Sequence, residues 1–346
     1  MKRFFMILSI ILLLAAPICA VEYTAPPVPK DVEDLMPVET ESFSDGLWKI
    51  VQNATKDLRP EFFEAAKVCI GIVGVCICIA IIKQIPGADT SICEFAGVVA
   101  ISAVLLSTTG AMVRLGVDTV KQLSEYGKLL LPVMTAAMAA SGAVTSSTAL
   151  YAGTAVFDAV LSNVISGLLV PAVYVILILS VAASATAQPM LKKLRDVIKN
   201  STAWGLRSIL YIFTGYISIT GVISGSTDAA ALKATKLTMS GMVPMVGGIL
   251  ADASDAVLMG AEVVKNAVGV YGLLAVAAIW INPFVQLGIQ YLLLKLTEAV
   301  CEVFEMKAIT DLIGSFSSAM GILLAMTGSV SIMLLVSSIC FMRGVA

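Results

Sequence analysis

The chain contains no histidine among its 346 residues, and this absence excludes several kinds of active site. Zinc sites that need imidazole, Ser-His-Asp and Cys-His nucleophilic centres, and haem ligation through histidine are all ruled out. The sequence also lacks a Walker phosphate-binding loop and the HExxH, GxGD and GxSxG motifs. We therefore expect a protein that is not an enzyme and that holds no cofactor or metal ion.

Charged residues are also scarce. They make up only 13% of the chain, whereas about 25% is usual in soluble domains. Hydrophobic residues make up 58%, and the mean hydropathy is +0.96. This composition predicts an all-α polytopic membrane protein, because helices satisfy their own backbone hydrogen bonds in lipid. The net charge of -2 provides no basic surface for phosphates and argues against a nucleic-acid partner.

The N-terminus has the form of a secretory signal peptide over residues 1–20. Lys2 and Arg3 precede an apolar run that ends in small residues, which favours cleavage after Ala20. An uncleaved first membrane helix and lipidation of Cys19 are the alternatives. If the signal is removed, the acidic segment 21–62 is extracytoplasmic. From Ser44 onward its spacing predicts an amphipathic helix on the membrane or on a partner, with a simple connector as the alternative.

The remaining residues, 63–346, are predicted to form a polytopic helical membrane domain. Two segments of this domain, 129–150 and 239–258, are weaker because they are rich in small residues. The fold class is therefore an all-α membrane protein with about six to eight transmembrane or re-entrant helices. The strong spans, each long enough to cross about 30 Å of hydrocarbon, are near 66–84, 92–113, 165–187, 209–225, 267–293 and 316–342.

The most basic short segment is interpreted as a cytoplasmic loop near 188–208 and as a candidate docking site for a cytoplasmic partner. With an extracytoplasmic N-terminus, an odd number of spans must precede this loop. Segment 129–150 is therefore predicted not to cross fully, or to cross twice as a broken hairpin. The candidate docking residues are Lys192, Lys193, Arg195, Lys199 and Arg207.

Two proline pairs indicate an internal duplication. Pro132 and Pro171 are 39 residues apart, and Pro244 and Pro283 have the same separation. Chance similarity of apolar sequence is the alternative. Duplicated halves with proline- and glycine-interrupted segments are typical of transporters in which broken helices line a central cavity.

The stretch "VPMVGGILADASDAVL" places two aspartates in an otherwise apolar region. Charges at membrane depth are costly and usually mark a polar path or a subunit contact. We interpret five residues as a candidate polar lining or subunit docking site, and Glu262 and Lys265 as a possible ion pair. An amphipathic helix with solvated charges is the alternative. The five residues are Asp158, Asp252, Asp255, Glu262 and Lys265.

Three stretches resemble the stage III sporulation protein AE family: "QPMLKKLRDVIKNSTAWGLRSILYIFTGYISITG", "SGSTDAAALKATKLTMSGMVPMVGGILADASDAVLMGAEVV" and "INPFVQLGIQYLLLKLTEAV". The resemblance implies a membrane component of a channel complex that links mother cell and forespore. It also implies a location in the mother-cell membrane surrounding the forespore. The implied partners are other membrane and ring-forming proteins of the channel and a cytoplasmic secretion-type ATPase. The family supplies no catalytic residues to carry over.

The resemblance and the composition together favour a non-enzymatic subunit of a sporulation channel or secretion-like complex, needed for late forespore development. Membrane lipid surrounds it, and homo-oligomers are possible. The alternative is a secondary transporter of a small solute or ion, with Asp158, Asp252 and Asp255 near its site. A purely structural anchor is a third possibility.

Overall fold

This computed structural model describes residues 26–36, 43–56, 59–85, 90–242 and 247–343. Inside the helices, the side chains at 30, 31, 59, 90, 221–226, 229, 232, 234–242 and 247–257 lie outside the description. The helices of the described part are α1 (Lys30–Glu33), α2 (Phe43–Lys56), α3 (Arg59–Ile82), α4 (Thr90–Ala140), α5 (Val144–Val164), a π-helical segment (Ile165–Leu169), α6 (Val170–Thr186), α7 (Pro189–Met242), α8 (Gly247–Glu302) and α9 (Lys307–Arg343).

The chain is an all-helical, multi-pass membrane protein. Five described stretches are long and apolar enough to cross a bilayer: Pro60–Ile82, Ser91–Ala140, Val144–Thr186, Leu258–Glu302 and Lys307–Arg343. Five of the six predicted strong spans match them, with 66–84 and 165–187 ending one or two residues beyond. The sixth, 209–225, lies in α7 and includes side chains outside the description, so it stays a prediction.

Helix α9 forms the centre of the bundle. It packs against α4, α5, α6, α7 and α8, while α3 lies outside the contact between α4 and α8. Its inward residues, such as Phe316, Met320 and Leu334, are fully buried. Glycines allow close approach: a Cβ on Gly127 would lie 2.8 Å from Leu334, and one on Gly272 2.7 Å from Leu130. The core therefore runs the length of α9.

Several helix ends lie together at one end of the bundle, here called the loop end. They are the end of α3 and the start of α4, the end of α6 and the start of α7, and the end of α8 and the start of α9. Lys83 after α3 pairs with Glu94 of α4, and Lys192 near the start of α7 pairs with Asp311 near the start of α9. Three helical passes, made by α3, α4 and α5–α6, therefore precede the basic segment. The number is odd, as a cytoplasmic location of the basic segment requires when the N-terminus is extracytoplasmic.

The basic segment near 188–208 is not a loop, and this part of the prediction was wrong. Only Ala187 and Gln188 separate α6 from α7, and Pro189 begins α7. Ala187 has a φ of 55°, a left-handed conformation that ends α6. A proline at the first helical position loses no intrahelical hydrogen bond, so the lysines that follow continue as a helix.

Both weak segments contain a junction between two long helices. Within 129–150, α4 ends at Ala140 and α5 begins at Val144. Within 239–258, α7 ends at Met242 and α8 begins at Gly247, and the connecting residues 243–246 lie outside the description. Each segment is therefore divided between two helices of the described part. Of the repeat prolines, Pro132 and Pro283 lie inside helices, Pro171 follows the π-helical segment, and Pro244 is among residues not described.

The exposed surface of α4 changes character along its length. Exposed apolar residues occupy its first half, including Ile92, Phe95 and Val99. The next part of the helix exposes charges at intervals of four and three residues, so they form one stripe. At 51 residues α4 is about 76 Å long, more than twice the hydrocarbon thickness of about 30 Å. The charged stripe consists of Arg114, Asp118, Lys121, Glu125 and Lys128.

We infer that the bilayer surrounds the loop-end half of the bundle. From Ser91 to the residue before Arg114, α4 has the length of a single crossing. Helix α3 exposes Ile70, Ile77 and Ile81 beside it. Water would leave these apolar side chains unfavourably hydrated, whereas lipid would leave the charged stripe unsolvated. Both costs are avoided when the bilayer ends near Arg114.

Candidate functional site

A ladder of polar contacts joins α7 to α9 near the loop end. Arg195 Nη1 donates to Ser315 Oγ at 2.6 Å, and Lys199 Nζ donates to Ser318 Oγ at 2.9 Å. One turn earlier, Lys192 forms an ion pair with Asp311. The spacing on each helix is three or four residues, so each set lies on one face. We call these three contacts the α7–α9 ladder.

The ladder forms because α7 and α9 are parallel neighbours that both begin at the loop end. Each cation on α7 contacts a residue 119 or 120 positions later in the chain. Because both helices rise by the same amount per residue, one contact in register brings the next ones into register. The three contacts therefore depend on how α7 packs against α9, and the local sequence of either helix does not predict them.

We infer that the ladder lies at membrane depth. Helix α6 is strongly apolar and packs antiparallel against α7 across a two-residue connection. Lys199 follows Pro189 by ten residues, which places it about 15 Å along α7. The neighbouring turns of α6 need hydrocarbon around them. Ionisable groups at such a depth face protein or water rather than lipid.

Two adjoining cavities open beside the ladder, between α7, α8 and α9. The smaller, of about 230 Å³, is lined by charged groups from all three helices, including Asp196, Lys295 and Glu298. The larger, of about 790 Å³, shares Lys199, Lys295 and Ser318 with it. Leu206, Phe284 and Ile332 give the larger cavity a mainly apolar wall. We call the two cavities together the polar groove.

Charges of both signs meet in the polar groove. Lys295 donates to Glu298 at 2.8 Å, and Arg195 donates to Asp196 through Nε at 2.9 Å and Nη2 at 2.8 Å. The side chains of Lys192 and Asp311 remain 31% and 33% exposed, so this pair contributes about 1 kcal/mol or less if water reaches it. Among the described residues, the arrangement provides a mixed-charge surface and no nucleophile paired with a base.

The chain is similar in sequence to a known protein family. The sequence profile of the family described as stage III sporulation protein AE matches residues 31–344. The chain belongs to the stage III sporulation protein AE family. The protein of that name from Bacillus subtilis (strain 168) is 24% identical over 185 residues, which is 54% of this chain and 46% of the relative. The match thus spans about half of that relative's length. No solved structure matches the chain.

Asp158, one of the predicted lining residues, lies in the core of the bundle and not in the polar groove. It is 4% exposed on α5, and Ser124 of α4 donates to its Oδ2 at 2.7 Å. Its Oδ1 has no hydrogen-bond partner. One turn away, Thr154 and Ser337 are hydrogen-bonded at 3.1 Å. The structure therefore places Asp158 in a buried polar layer between α4, α5 and α9.

The other predicted lining residues lie on α8, and the structure does not join them to Asp158. Glu262 is exposed and Lys265 is only 3% exposed, and they form no ion pair with each other. The suggested pairing of these two residues is therefore not present. Asp252 and Asp255 are in helical backbone, but their side chains lie outside the description.

The predicted docking cations divide into two groups. Lys192, Arg195 and Lys199 are used in the α7–α9 ladder. Lys193 and Arg207 are exposed, and Arg207 lines the larger cavity. A cytoplasmic partner would therefore find only part of this set available. The repeated spacing of 192, 195 and 199 and of 311, 315 and 318 is the sequence signal that could have revealed the ladder.

Sequence reasoning missed Asp228, which caps α5 from another helix. Its Oδ1 accepts from the backbone N–H of Thr145 at 2.9 Å, and its Oδ2 accepts from that of Ser146 at 2.7 Å. The residue before α5, Ala143, has no side chain able to do this. Burial alone would raise the pKa of Asp228, but the hydrogen bonds from Ser146 and Thr145 lower it below its usual range.

Proposed function

We propose that the chain is a non-enzymatic membrane subunit of a channel or secretion-like complex that links mother cell and forespore and is needed for late forespore development. Membership of a sporulation protein family supports the setting. The mixed-charge groove between α7, α8 and α9, which we infer to lie at membrane depth, is the feature that supports the channel role.

The groove supports this role because its surface is unsuited to lipid. Charges from α7, α8 and α9 converge at a depth where α6 requires hydrocarbon. Such a surface is stable when it borders water or another subunit. In the proposed complex, copies of this chain or its partners close around the groove. The groove then forms part of the wall of a hydrated passage.

The proposed orientation follows from the signal peptide and the parity of the helices. Removal of residues 1–20 after Ala20 would leave segment 21–62 outside the cytoplasm. Three helical passes would then bring the loop end to the cytoplasmic side of the mother-cell membrane around the forespore. The loop end is accordingly the proposed docking face for a cytoplasmic secretion-type ATPase. Other membrane and ring-forming channel proteins would contact the remaining surfaces.

Deletion of the gene in the source organism tests the sporulation role. Heat-resistant spores are counted, and a late forespore-specific reporter is followed after engulfment. The proposal expects engulfment to be complete, the reporter to fail, and spores to fall by orders of magnitude. Normal sporulation in the deletion strain would contradict the proposal.

Complementation of the deletion with point variants tests the groove. Lys199→Glu reverses a charge in the polar groove, and we expect it to restore few spores although the protein is present in the membrane. Lys121→Glu makes the same charge change at an exposed position on the charged stripe of α4, away from both the groove and the loop end, and serves as the matched control. Full complementation by Lys199→Glu would remove the groove from the mechanism.

A secondary transporter is the second candidate, and buried Asp158 with its unpartnered Oδ1 favours it. A transporter that uses this carboxyl would lose function in Asp158→Asn even though the amide keeps a hydrogen-bond acceptor for Ser124. A channel subunit should tolerate this change if the protein accumulates normally. Spore counts and immunoblots of membranes from the same cultures distinguish the two functions.

A further inference from the structure

A second polar cavity lies on the other side of the bundle, between α3, α4 and α8. Its volume is about 380 Å³, and it is separate in its lining from the polar groove. The polar side chains around it all carry oxygen atoms able to act as ligands. They are Glu61, Glu64, Ser107, Thr108, Gln286 and Gln290.

Gln290 is the observation that points to a ligand. Its side chain is 3% exposed, lines the cavity, and makes no hydrogen bond to any residue that the structure describes. A buried amide without a partner costs about 1–3 kcal/mol, so such groups normally have a ligand or water. The cavity that Gln290 lines is therefore a place where a ligand could meet this amide.

The carbonyl oxygen of the neighbouring Gln286 likewise makes no hydrogen bond within the described part of the chain. Its Nε2 donates to Glu61 Oε1 at 2.7 Å and approaches Asn282 Oδ1 at 3.3 Å. Because the amide nitrogen is engaged there, the oxygen is the remaining atom that can bind a cation. The same contact holds the Glu61 carboxylate at the cavity.

The charge of the cavity favours a doubly charged ion. Glu61 and Glu64 contribute two carboxylates, and no described lysine or arginine lines it. Carboxylate, amide and hydroxyl oxygens are the ligands of hard cations. Ca²⁺ accepts six to eight such oxygens in flexible geometry, whereas Mg²⁺ requires a tight octahedron. A cavity of this size also has room for waters to complete the coordination.

We propose that Glu61, Glu64, Gln286 and Gln290 bind a divalent cation of the Ca²⁺ type between α3, α4 and α8. Bound there, the ion neutralises the two carboxylates and ties α3 to the rest of the bundle. This site does not depend on the proposed channel role, because it requires no passage and no partner.

The test measures Ca²⁺ binding to the purified full-length protein in detergent by isothermal titration calorimetry. We expect one saturable site with a Kd of roughly 10⁻⁴ to 10⁻³ M, as in weak oxygen sites outside the cytoplasm. The Glu61→Gln/Glu64→Gln variant should bind at least about tenfold more weakly, which corresponds to the loss of two charges. Glu302→Gln/Glu305→Gln, with two exposed loop-end carboxylates changed, is the matched control and should bind as the parent does.

Gln290→Leu provides a variant of similar size that keeps both carboxylates. It should also weaken Ca²⁺ binding, and an apolar side chain at this packed position should not prevent folding. If the Glu61→Gln/Glu64→Gln variant does not accumulate, Gln290→Leu by itself tests whether the cavity binds Ca²⁺. Three results would overturn the proposal: no saturable Ca²⁺ binding by the parent, unchanged binding in Gln290→Leu, or equal competition by Na⁺ at the same concentration.

Discussion

Asp228 shows how one carboxylate can connect distant parts of this bundle. It lies 3% exposed on α7 and binds two backbone amides at the first turn of α5. Those amides have no partner within their own helix, and the helix dipole favours a negative charge beside them. Asp228 therefore fixes α5 to α7 where α5 begins.

Replacement of Asp228 by alanine should destabilise the protein. Two backbone amides at the start of α5, one of them at buried Ser146, lose their acceptor, and the favourable charge at the helix start is removed. We expect a loss of about 2 kcal/mol, with Asp228→Asn losing less because its amide oxygen still accepts. Thermal unfolding of the purified protein in detergent measures this. Asp118→Ala, an exposed position on the charged stripe, is the control and should behave as the parent does.

The contribution of Asp228 should also depend on pH. Its pKa is lowered in the folded protein, so the unfolded chain binds its proton more readily. The stabilisation is fully present above the unfolded pKa of about 4 and is lost as pH falls through the lower folded pKa. The difference in melting temperature between parent and Asp228→Ala should therefore be constant at neutral pH and shrink in acid. A difference that grows in acid would contradict this assignment.

The Lys192–Asp311 pair allows a charge-swap test of the α7–α9 ladder. Lys192→Asp alone places two carboxylates together and should lower the melting temperature, and Asp311→Lys alone should do the same with two cations. The double swap should recover most of the loss, with a coupling energy of about 1 kcal/mol. Additive losses in the double variant would mean that the two side chains do not interact in the protein.

At the level of elements, the junction between α4 and α5 depends on Gly142. This residue has a φ of 95°, which costs little for glycine and is unfavourable for any residue with a Cβ. Around it the chain reverses direction, so that α5 packs against α4. A residue unable to adopt this conformation would change the angle between the two helices.

Gly142→Ala should therefore destabilise the protein by about 1–2 kcal/mol. Gly110→Ala is the matched control, because Gly110 is helical and an added Cβ there meets nothing within 4 Å. The control should be neutral or slightly stabilising, since alanine favours a helix. Melting temperatures of both variants, measured in the same detergent, give the comparison. Equal melting temperatures of the two variants would contradict the requirement for glycine at position 142.

Helix α2 resolves a question that its own sequence left open. Its amphipathic pattern was compatible with a membrane surface, a partner or a connector. The structure packs α2 against α8, with Ile50 and Ala54 buried and Trp48 exposed. Part of the apolar face is therefore covered by the same chain, and Trp48 is not. Periodicity identified which residues form the face but not which surface would cover it.

At the scale of the whole molecule, the charged stripe of α4 predicts where the bilayer ends. A cysteine at Lys121 should react with a water-soluble maleimide in intact membranes, because that position lies beyond the inferred lipid boundary. A cysteine at Val99 should not react, although this residue is 48% exposed in the isolated chain. Labelling is read as a gel shift relative to the parent, which controls for the native cysteines. Reaction at both positions would contradict the inferred membrane depth.

The sequence by itself determined that the chain is helical and which apolar runs form its long helices. Long runs of apolar residues predict helices because lipid leaves backbone groups no other partner. The five described spans and the family resemblance followed from such local information. With an extracytoplasmic N-terminus, the charge pattern also predicted an odd number of passes before Lys192, and the described chain has three helical stretches there, α3, α4 and α5–α6.

Only the tertiary structure decided which polar groups meet. Lys192 contacts Asp311, Asp228 caps α5, and Glu61 contacts Gln286, in each case across a separation of at least 82 residues. Such contacts depend on which helices pack together and in which register, and periodicity carries no information about either. The basic segment was misjudged for the same reason. By sequence alone, its basic residues are the same as those of a solvated loop. In the structure, α9 places hydrogen-bond acceptors beside Arg195 and Lys199.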